Sequence, residues 1–129
     1  MAAQLNHTIV WTNDKHRSAA FMADMLSLPD PEPFFHFLVV RMANGVSLDF
    51  MQKDGPISTQ HYAFLVSDAE FDAAMAKIAE RKIDYWADPA RSSPGAINHH
   101  WGGRGVYFED PDGHLLELIT KTYGPEDEI

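Results

Sequence analysis

Hydrophobic and polar residues alternate in several short stretches of the chain, which is the pattern of β-strands with one buried face. Two of these stretches, "LNHTIVWTND" (5–14) and "TQHYAFLVSD" (59–68), resemble each other and each end at an aspartate. Successive side chains point to opposite faces of a strand. Each stretch therefore predicts a strand that carries one histidine, His7 or His61, on a defined face.

Apolar residues recur at helical spacing directly after both strands. This spacing predicts a first helix over 14–28, which Pro29 would end, and a second helix over 68–82. Ser67 and Glu70 have the spacing of a capping box, so Ser67 is the predicted N-cap of the second helix.

Two further strands begin with strong turn signals. "NGVSLDFMQ" (44–52) and "DGHLLELIT" (112–120) open with Asn-Gly and Asp-Gly, which predict two-residue hairpin turns. Asp49 and Glu117 stand at the same step after these turns. A sheet covered by helices on one side needs an apolar face there, so both carboxylates and both strand histidines are predicted on the opposite, concave face.

These matches predict an internal duplication. His7 and His61 are 54 residues apart, whereas Asp49 and Glu117 are 68 apart, so the second half holds about 14 extra residues. We predict an α+β fold of two pseudo-symmetric modules, residues 1–56 and 57–129, in one compact domain. The extra residues fall in the Pro-, Gly- and Ser-rich segment 87–105, a long irregular loop of a kind that often carries function.

The residue types on the concave face favour metal binding. The chain has no cysteine, which excludes disulfides and thiolate sites, but it has seven histidines. Imidazoles together with carboxylates are a ligand set for Fe(II), Mn, Ni or Zn. Two histidines and one carboxylate would leave coordination positions open for substrate and for oxygen or water. We therefore expect a divalent ion among the four polar residues of this face, which are His7, His61, Asp49 and Glu117.

Charge and hydropathy exclude other partners. The net charge of -9 argues against nucleic acid and anionic lipid. No apolar stretch approaches the roughly 20 residues of a membrane span, and the N-terminus lacks the pattern of a signal peptide. We therefore expect a cytoplasmic protein with no nucleic-acid or membrane partner. The acidic end "GPEDEI" (124–129) is predicted to be a solvated tail.

Three stretches resemble a known family: "LNHTIVWTND", "QHYAFLVSDAEFDAAMAKI" and especially "GVYFEDPDGHLLELIT". They are similar to the vicinal oxygen chelate superfamily, also called the glyoxalase/bleomycin-resistance/dioxygenase superfamily, over nearly the whole chain. The resemblance implies two βαβββ modules that form an open curved barrel around a central divalent metal, and often a homodimer. It also implies His7, His61 and Glu117 as metal ligands.

Asp49 departs from the family pattern. It matches a position that is Glu in glyoxalase I-type members, and its side chain is one methylene shorter. The resemblance therefore leaves three roles open for Asp49: it could be a fourth ligand, a ligand through water or a general base. Three ligands on Fe(II) would suit ring-cleaving dioxygenase chemistry, whereas four ligands on Ni or Zn would suit lyase or isomerase chemistry.

The resemblance implies a metal-dependent enzyme of glyoxalase or dioxygenase type, acting on a small substrate with two adjacent oxygens. Asp49 and Glu117 are its predicted catalytic carboxylates. The alternative from a different class is a non-catalytic, bleomycin-resistance-like protein that binds a small molecule or drug. A fosfomycin-type thiol transferase ranks third, because no arginine follows Glu117 to receive a phosphonate.

Five residues are candidates for substrate binding. Trp11 shares a face with His7, three others form part of the long loop, and an arginine follows them. The alternatives are that the tryptophan packs in the core, that the loop is simply polar and exposed, and that the arginine is a surface residue. The five residues are Trp11, His99, His100, Trp101 and Arg104.

Overall fold

The computed structural model describes residues 2–122, so the predicted acidic tail lies outside the described residues. Within them the chain divides after Ser58 into two compact units, which we call the first and second modules. The prediction that both modules form one compact domain stays a prediction. None of the helices in this part of the chain is long and apolar enough to cross a membrane.

The first module is a four-stranded mixed sheet with one helix. The sheet order is β1-β4-β3-β2, in which β1 runs parallel to β4 and the other neighbours are antiparallel. The helix α1 packs against β3 and β4. The elements are β1 (His7–Thr12), α1 (Lys15–Met25), β2 (Glu32–Phe34), β3 (Phe37–Arg41) and β4 (Ser47–Gln52).

The second module repeats this arrangement. Its sheet order is β5-β8-β7-β6, again with one parallel pair, β5 with β8, beside antiparallel neighbours. The elements are β5 (His61–Leu65), α2 (Asp68–Glu80), β6 (Tyr85–Trp86), β7 (Gly105–Glu109) and β8 (Leu115–Ile119). The α+β fold and the duplication into two βαβββ modules are confirmed, and each sheet is open.

The register of the parallel pairs is the same in both modules. In each module the histidine that opens the first strand lies diagonally across from the carboxylate, two residues along. The paired residues are His7 with Ser47 and Ile9 with Asp49 in the first module, and His61 with Leu115 and Ala63 with Glu117 in the second. The predicted faces of these strands therefore agree with the structure.

The first helix is shorter than predicted. Asp14 is its N-cap and accepts a hydrogen bond from the backbone N–H of Arg17 at 3.1 Å. The helix ends at Met25, three residues before the predicted end. Ser27 takes a left-handed conformation with φ 55°, which a continuing helix cannot contain. The backbone therefore leaves the helix before it reaches Pro29.

The second helix has the predicted N-cap. The Ser67 hydroxyl accepts from the backbone N–H of Glu70 at 3.1 Å, and the Glu70 carboxylate accepts from the backbone N–H of Ser67 at 2.8 Å. These two bonds confirm the capping box. The helix buries Phe71, Ala74 and Ile78 along one face, and it ends at Glu80 rather than at residue 82.

The two hairpin turns differ from the prediction. In both, the glycine N–H donates to a carbonyl three residues earlier at 3.0 Å, from Gly45 to Met42 and from Gly113 to Asp110. Both glycines have φ 89°, a conformation that L side chains rarely adopt. A two-residue turn of type I′ would also need a positive φ at the preceding Asn or Asp, and neither has one. Each loop is therefore a four-residue turn that ends in glycine.

The Asp110 side chain organises the second of these turns. Its Oδ1 accepts from the backbone N–H of Asp112 at 3.0 Å and of His114 at 2.8 Å. Burial raises the pKa of this carboxyl group. The His114 ring is buried, and its Nδ1 accepts from the backbone N–H of Gln60 at 2.9 Å. The "DPDGH" stretch thus fixes where β8 begins beside β5, and the contacts of His114 are structural.

Candidate functional site

His61 and Glu117 meet on neighbouring strands of the second module. His61 opens β5, and Glu117 lies at the centre of β8, on the face of the sheet that the helix does not cover. The Nε2 atom of His61 is 3.0 Å from Oε1 of Glu117. The imidazole is 46% exposed and the carboxylate 17%, so a bound ligand could reach both. The structure thus brings together two of the four predicted metal ligands.

The contacts of His61 bear on whether its Nε2 atom carries a hydrogen or a lone pair. Its Nδ1 lies 3.2 Å from the carbonyl oxygen of Leu115. Because the carbonyl and an ionised carboxylate both only accept, a neutral ring donates to one of them, and a ring that donates to the carbonyl keeps a lone pair on Nε2. That lone pair points at a carboxylate oxygen, which also only accepts when it is ionised. In that tautomer the lone pair and the carboxylate oxygen would share a cation, such as a metal ion, whereas a ring with its hydrogen on Nε2 donates to Glu117 directly.

A metal ion fits this donor pair. Imidazole nitrogen and carboxylate oxygen bind divalent ions at about 2.0–2.2 Å. Two atoms that are each this far from one ion can lie up to about 4 Å apart. The observed 3.0 Å between Nε2 and Oε1 falls within that limit. A backbone carbonyl that fixes the histidine tautomer is also a usual feature of metal-binding histidines.

Tyr107 completes the arrangement in the second module. It lies on β7 directly opposite Glu117, and its hydroxyl hydrogen-bonds to the Glu117 carboxylate. Burial, followed by this hydrogen bond and by the charge of Glu117, raises the pKa of Tyr107 to about 12. The ring stacks on the imidazole of His61, with 6.0 Å between centroids and 24° between planes. Glu117 is therefore held from both neighbouring strands.

The first module holds its histidine and carboxylate differently. His7 is exposed, and its Nδ1 donates to Oδ1 of Asn6 at 2.7 Å, which leaves Nε2 with a lone pair in the neutral ring. Asp49 is buried, and its Oδ1 accepts from the Ser47 hydroxyl at 3.0 Å. The residue opposite Asp49 on the antiparallel strand is Val39, which has no polar side chain.

The four predicted ligands are divided between the modules, two in each. Across residues 2–122, no three histidine, aspartate or glutamate side chains come close enough together to hold a metal ion. The second module brings two possible donors together, and a metal ion there would take further ligands from another side chain, from water or from substrate. The assignment of His7 and Asp49 as ligands stays a prediction.

The long loop is ordered by its own hydrogen bonds. The carboxylate of Asp88 accepts from the backbone N–H groups of Ser92 and Ser93 at 2.9 Å each. Asn98 exchanges two backbone hydrogen bonds of 2.9 Å with Gly105, and its amide donates to the carbonyl of Ala87 at 2.9 Å. The loop is therefore tied to the start of β7.

Three predicted substrate residues lie together on this loop. His99 is exposed, and a short 3-10 helix, His100–Gly102, follows it. The rings of His100 and Trp101 are 5.4 Å apart. Trp101 is 45% exposed and has φ 54°, which costs free energy for a residue of this size. Their role in substrate binding stays a prediction.

The other two substrate candidates have different surroundings. Trp11 is 39% exposed on the same face of β1 as His7, and the ammonium group of Lys53 lies 5.8 Å from its ring centroid. The Arg104 guanidinium donates to Asp72 at 2.7 Å and to Asp68 at 3.0 Å. Its charge therefore already has two partners at the start of α2, and a substrate role for Arg104 has no support from its contacts.

Sequence reasoning missed the contact between Tyr107 and Glu117. A two-residue turn at Asp112-Gly113 would place Phe108, not Tyr107, opposite Glu117. The observed turn shifts the pairing by one residue, and such a shift exchanges the two faces of a strand. The signal that could have found it is the glycine at the end of a four-residue "DPDG" turn.

Comparison with known proteins gives relatives over nearly the whole chain. The structure of Oxidase ChaP-H1 is 56% identical, with a TM-score of 0.93 over 95% of this chain and 99% of that chain. The structure of Oxidase ChaP-H2 is 52% identical, with a TM-score of 0.93 over 96% of this chain and 98% of that chain. Metallothiol transferase FosB of Lysinibacillus sphaericus (strain C3-41) is 28% identical over 123 residues, which are 92% of this chain and 82% of that protein.

The family comparison agrees with the resemblance of the sequence motifs. The model of the Glyoxalase/Bleomycin resistance protein/Dioxygenase superfamily matches residues 4–118, and the two βαβββ modules have the architecture expected of it. The chain belongs to the Glyoxalase/Bleomycin resistance protein/Dioxygenase superfamily.

Proposed function

We propose that the protein is a divalent-metal-dependent enzyme of oxidase or dioxygenase type, with a small substrate that carries two adjacent oxygens. The observation that carries this proposal is the contact of 3.0 Å between His61 Nε2 and Glu117 Oε1, with Nδ1 of the same histidine 3.2 Å from a backbone carbonyl. High similarity to two proteins named as oxidases supports the oxidative reaction.

His61 and Glu117 would hold the metal, and His7 would be a third ligand. Support for His7 comes from its match to His61 in the duplication and from its Nδ1, which donates to Asn6 and leaves Nε2 available. A bound divalent ion supplies positive charge that stabilises two adjacent substrate oxygens, and iron in addition supplies electron transfer to oxygen.

Asp49 would act as a general base rather than as a ligand. Its Oδ1 accepts a hydrogen bond from Ser47, so the carboxylate is held in place by its own strand. A carboxylate fixed in this way can accept a proton from a substrate hydroxyl through its remaining lone pairs. Trp11, His99, His100 and Trp101 would contact the body of the substrate, because all four are exposed.

The second candidate reaction is thiol transfer to a fosfomycin-like substrate. The relative named metallothiol transferase FosB supports it. Against it, two arginines that could receive an anionic substrate both have carboxylate partners within their module. Arg104 pairs with Asp68 and Asp72, and Arg91 pairs with Glu109 at 2.8 Å. Non-catalytic binding remains the alternative from a different class.

An activity screen on the metal-loaded protein separates these possibilities. We would measure oxygen consumption with a panel of catechols, lactoylthiol formation from methylglyoxal and a thiol, and adduct formation from fosfomycin and a thiol. The proposal expects metal-dependent oxygen consumption that is lost in Glu117→Gln and retained in Glu80→Gln, an exposed carboxylate at the end of α2. Activity only with fosfomycin would contradict the oxidase assignment.

The metal identity, among Fe, Mn, Ni and Zn, and the expected homodimer also belong to this proposal. The open sheets, each with unpaired edge strands, are compatible with association of two copies. Sedimentation velocity on the purified chain would measure the mass in solution, and a monomer at all concentrations would contradict the homodimer. The cytoplasmic location stays a prediction.

A further inference from the structure

The two modules hold their matching carboxylates by different means, although the backbone register around them is the same. Asp49 accepts from Ser47 on its own strand, and it faces Val39 across the antiparallel pair. Glu117 has the apolar Leu115 in place of that serine, and it faces Tyr107 across the antiparallel pair. Ser47 therefore contacts the carboxylate of the first module, and Tyr107 faces the carboxylate of the second.

Tyr107 is a residue of β7 and pairs with β8 in the sheet. The residue is buried, and its ring stacks on the imidazole of His61. Its side chain lies opposite Glu117 across the antiparallel pair, and the Glu117 carboxylate itself meets Nε2 of His61. One aromatic side chain thus limits the motion of both donors. Without this neighbour the Glu117 side chain would move more freely, and it would lose more conformational entropy when it binds an ion.

We propose that Tyr107 is a positioning residue, which orients the Glu117 carboxylate for metal binding through its hydroxyl group. The inference rests on the proposed function, because it takes His61 and Glu117 as metal donors. Tyr107 itself would not contact the ion. Groups that hydrogen-bond to metal ligands typically contribute 10- to 100-fold to metal affinity, so we expect an effect of about that size.

The test is the affinity of the metal-free protein for Co²⁺, measured at constant pH by calorimetry and by the visible absorption of the bound ion. Tyr107→Phe should weaken Co²⁺ binding by about 10- to 100-fold. The variant removes one atom and should fold, because the partially exposed carboxylate can hydrogen-bond to water instead. Thermal unfolding by circular dichroism would accompany each titration.

Tyr62→Phe is the matched control. Tyr62 lies in the same module, on the face of β5 opposite to His61, with its ring 5.6 Å from that of His114. It also loses one hydroxyl group, but it should bind Co²⁺ like the wild type. An equal loss of affinity in both variants would overturn the proposal, because it would point to a general weakening of the module.

A double variant tests whether Tyr107 acts through Glu117. In the background Glu117→Gln, which itself should bind Co²⁺ weakly, adding Tyr107→Phe should have little further effect. If Glu117→Gln loses affinity but Tyr107→Phe binds as the wild type does, the positioning role is wrong and the metal donors stand. If Glu117→Gln also binds as the wild type does, the proposed metal donors and the positioning role both fail.

Discussion

A histidine offers a lone pair on one ring nitrogen when its neighbours take the hydrogen on the other. His61 and His7 both meet this condition, one through a backbone carbonyl and the other through the neighbouring amide side chain. Their carboxylate counterparts differ more than the sequence suggests. Glu117 faces an imidazole, whereas Asp49 is buried against a serine of its own strand. Residues at matching positions of a duplication can therefore have different roles.

This difference predicts the behaviour of Asp49→Asn. The amide retains an oxygen that can accept the hydrogen bond from Ser47, but it cannot accept a proton from substrate. We expect bound metal at the wild-type level and a turnover number lower by about 10²–10⁴-fold, which is the usual contribution of a general base. Atomic emission analysis and steady-state kinetics measure the two quantities. Loss of metal in Asp49→Asn would instead identify Asp49 as a fourth ligand.

At the scale of elements, the sequence predicted the two helices and the four strands that carry the histidines and carboxylates, but it did not locate β2 or β6 and placed the connections imprecisely. Alternation and helical spacing are strong signals within an element, because burial of one face requires them. Turn geometry depends on one residue, and Gly113 at φ 89° closes a four-residue turn, not the predicted two-residue turn. That single difference moves Tyr107 opposite Glu117. The fold was therefore predictable, while a key contact of the candidate site was not.

The N-terminus of α2 has a predictable response to acid. Hydrogen bonds from the Ser67 backbone and hydroxyl group lower the pKa of Glu70. A lowered pKa in the folded state means that this stabilisation is present above the unfolded value of 4.5 and is lost as the pH falls through the lowered pKa. Ser67→Ala should cost about 1 kcal/mol at neutral pH, because it removes the cap.

Thermal or urea unfolding of both proteins from pH 7 to pH 3 measures this effect. We expect the difference in unfolding free energy between wild type and Ser67→Ala to shrink in part as Glu70 becomes protonated, because the variant lacks the hydroxyl group but keeps the backbone N–H that donates to Glu70. Asp14, the N-cap of α1, is unchanged in Ser67→Ala, so any acid sensitivity of the first helix is common to both proteins. A difference that stays constant over the whole pH range would contradict the capping account.

Gly105, the first residue of β7, packs closely against Asn98 of the long loop. A Cβ atom added to Gly105 would lie 2.6 Å from Oδ1 and 2.9 Å from Nδ2 of Asn98, which is too close for an undistorted contact. We expect Gly105→Ala to lower the unfolding free energy by about 1–3 kcal/mol. Urea denaturation measures it. In an Asn98→Ala background the added methyl has room, so the same substitution should cost clearly less. An equal cost in both backgrounds would show that the clash is not the cause.

At the scale of the whole molecule, the chain is a duplication whose halves have diverged. The matching registers preserve a histidine and a carboxylate in each module, while the segment 87–105 exists only in the second. Sequence comparison within the chain revealed the duplication, because strand faces and turns repeat in order. It could not assign the roles of the two carboxylates, because those depend on Ser47 and Tyr107, whose counterparts in the other module are the apolar Leu115 and Val39.

The most direct test of the account is the metal content of the protein purified without chelator, for the wild type, His61→Ala, Glu117→Ala and the control Glu80→Ala. The account predicts stoichiometric divalent metal in the wild type and the control, and a loss of most of it in the other two variants. Metal content that is equally negligible in all four proteins, or equally high in all four, would contradict the claim that His61 and Glu117 form a metal site.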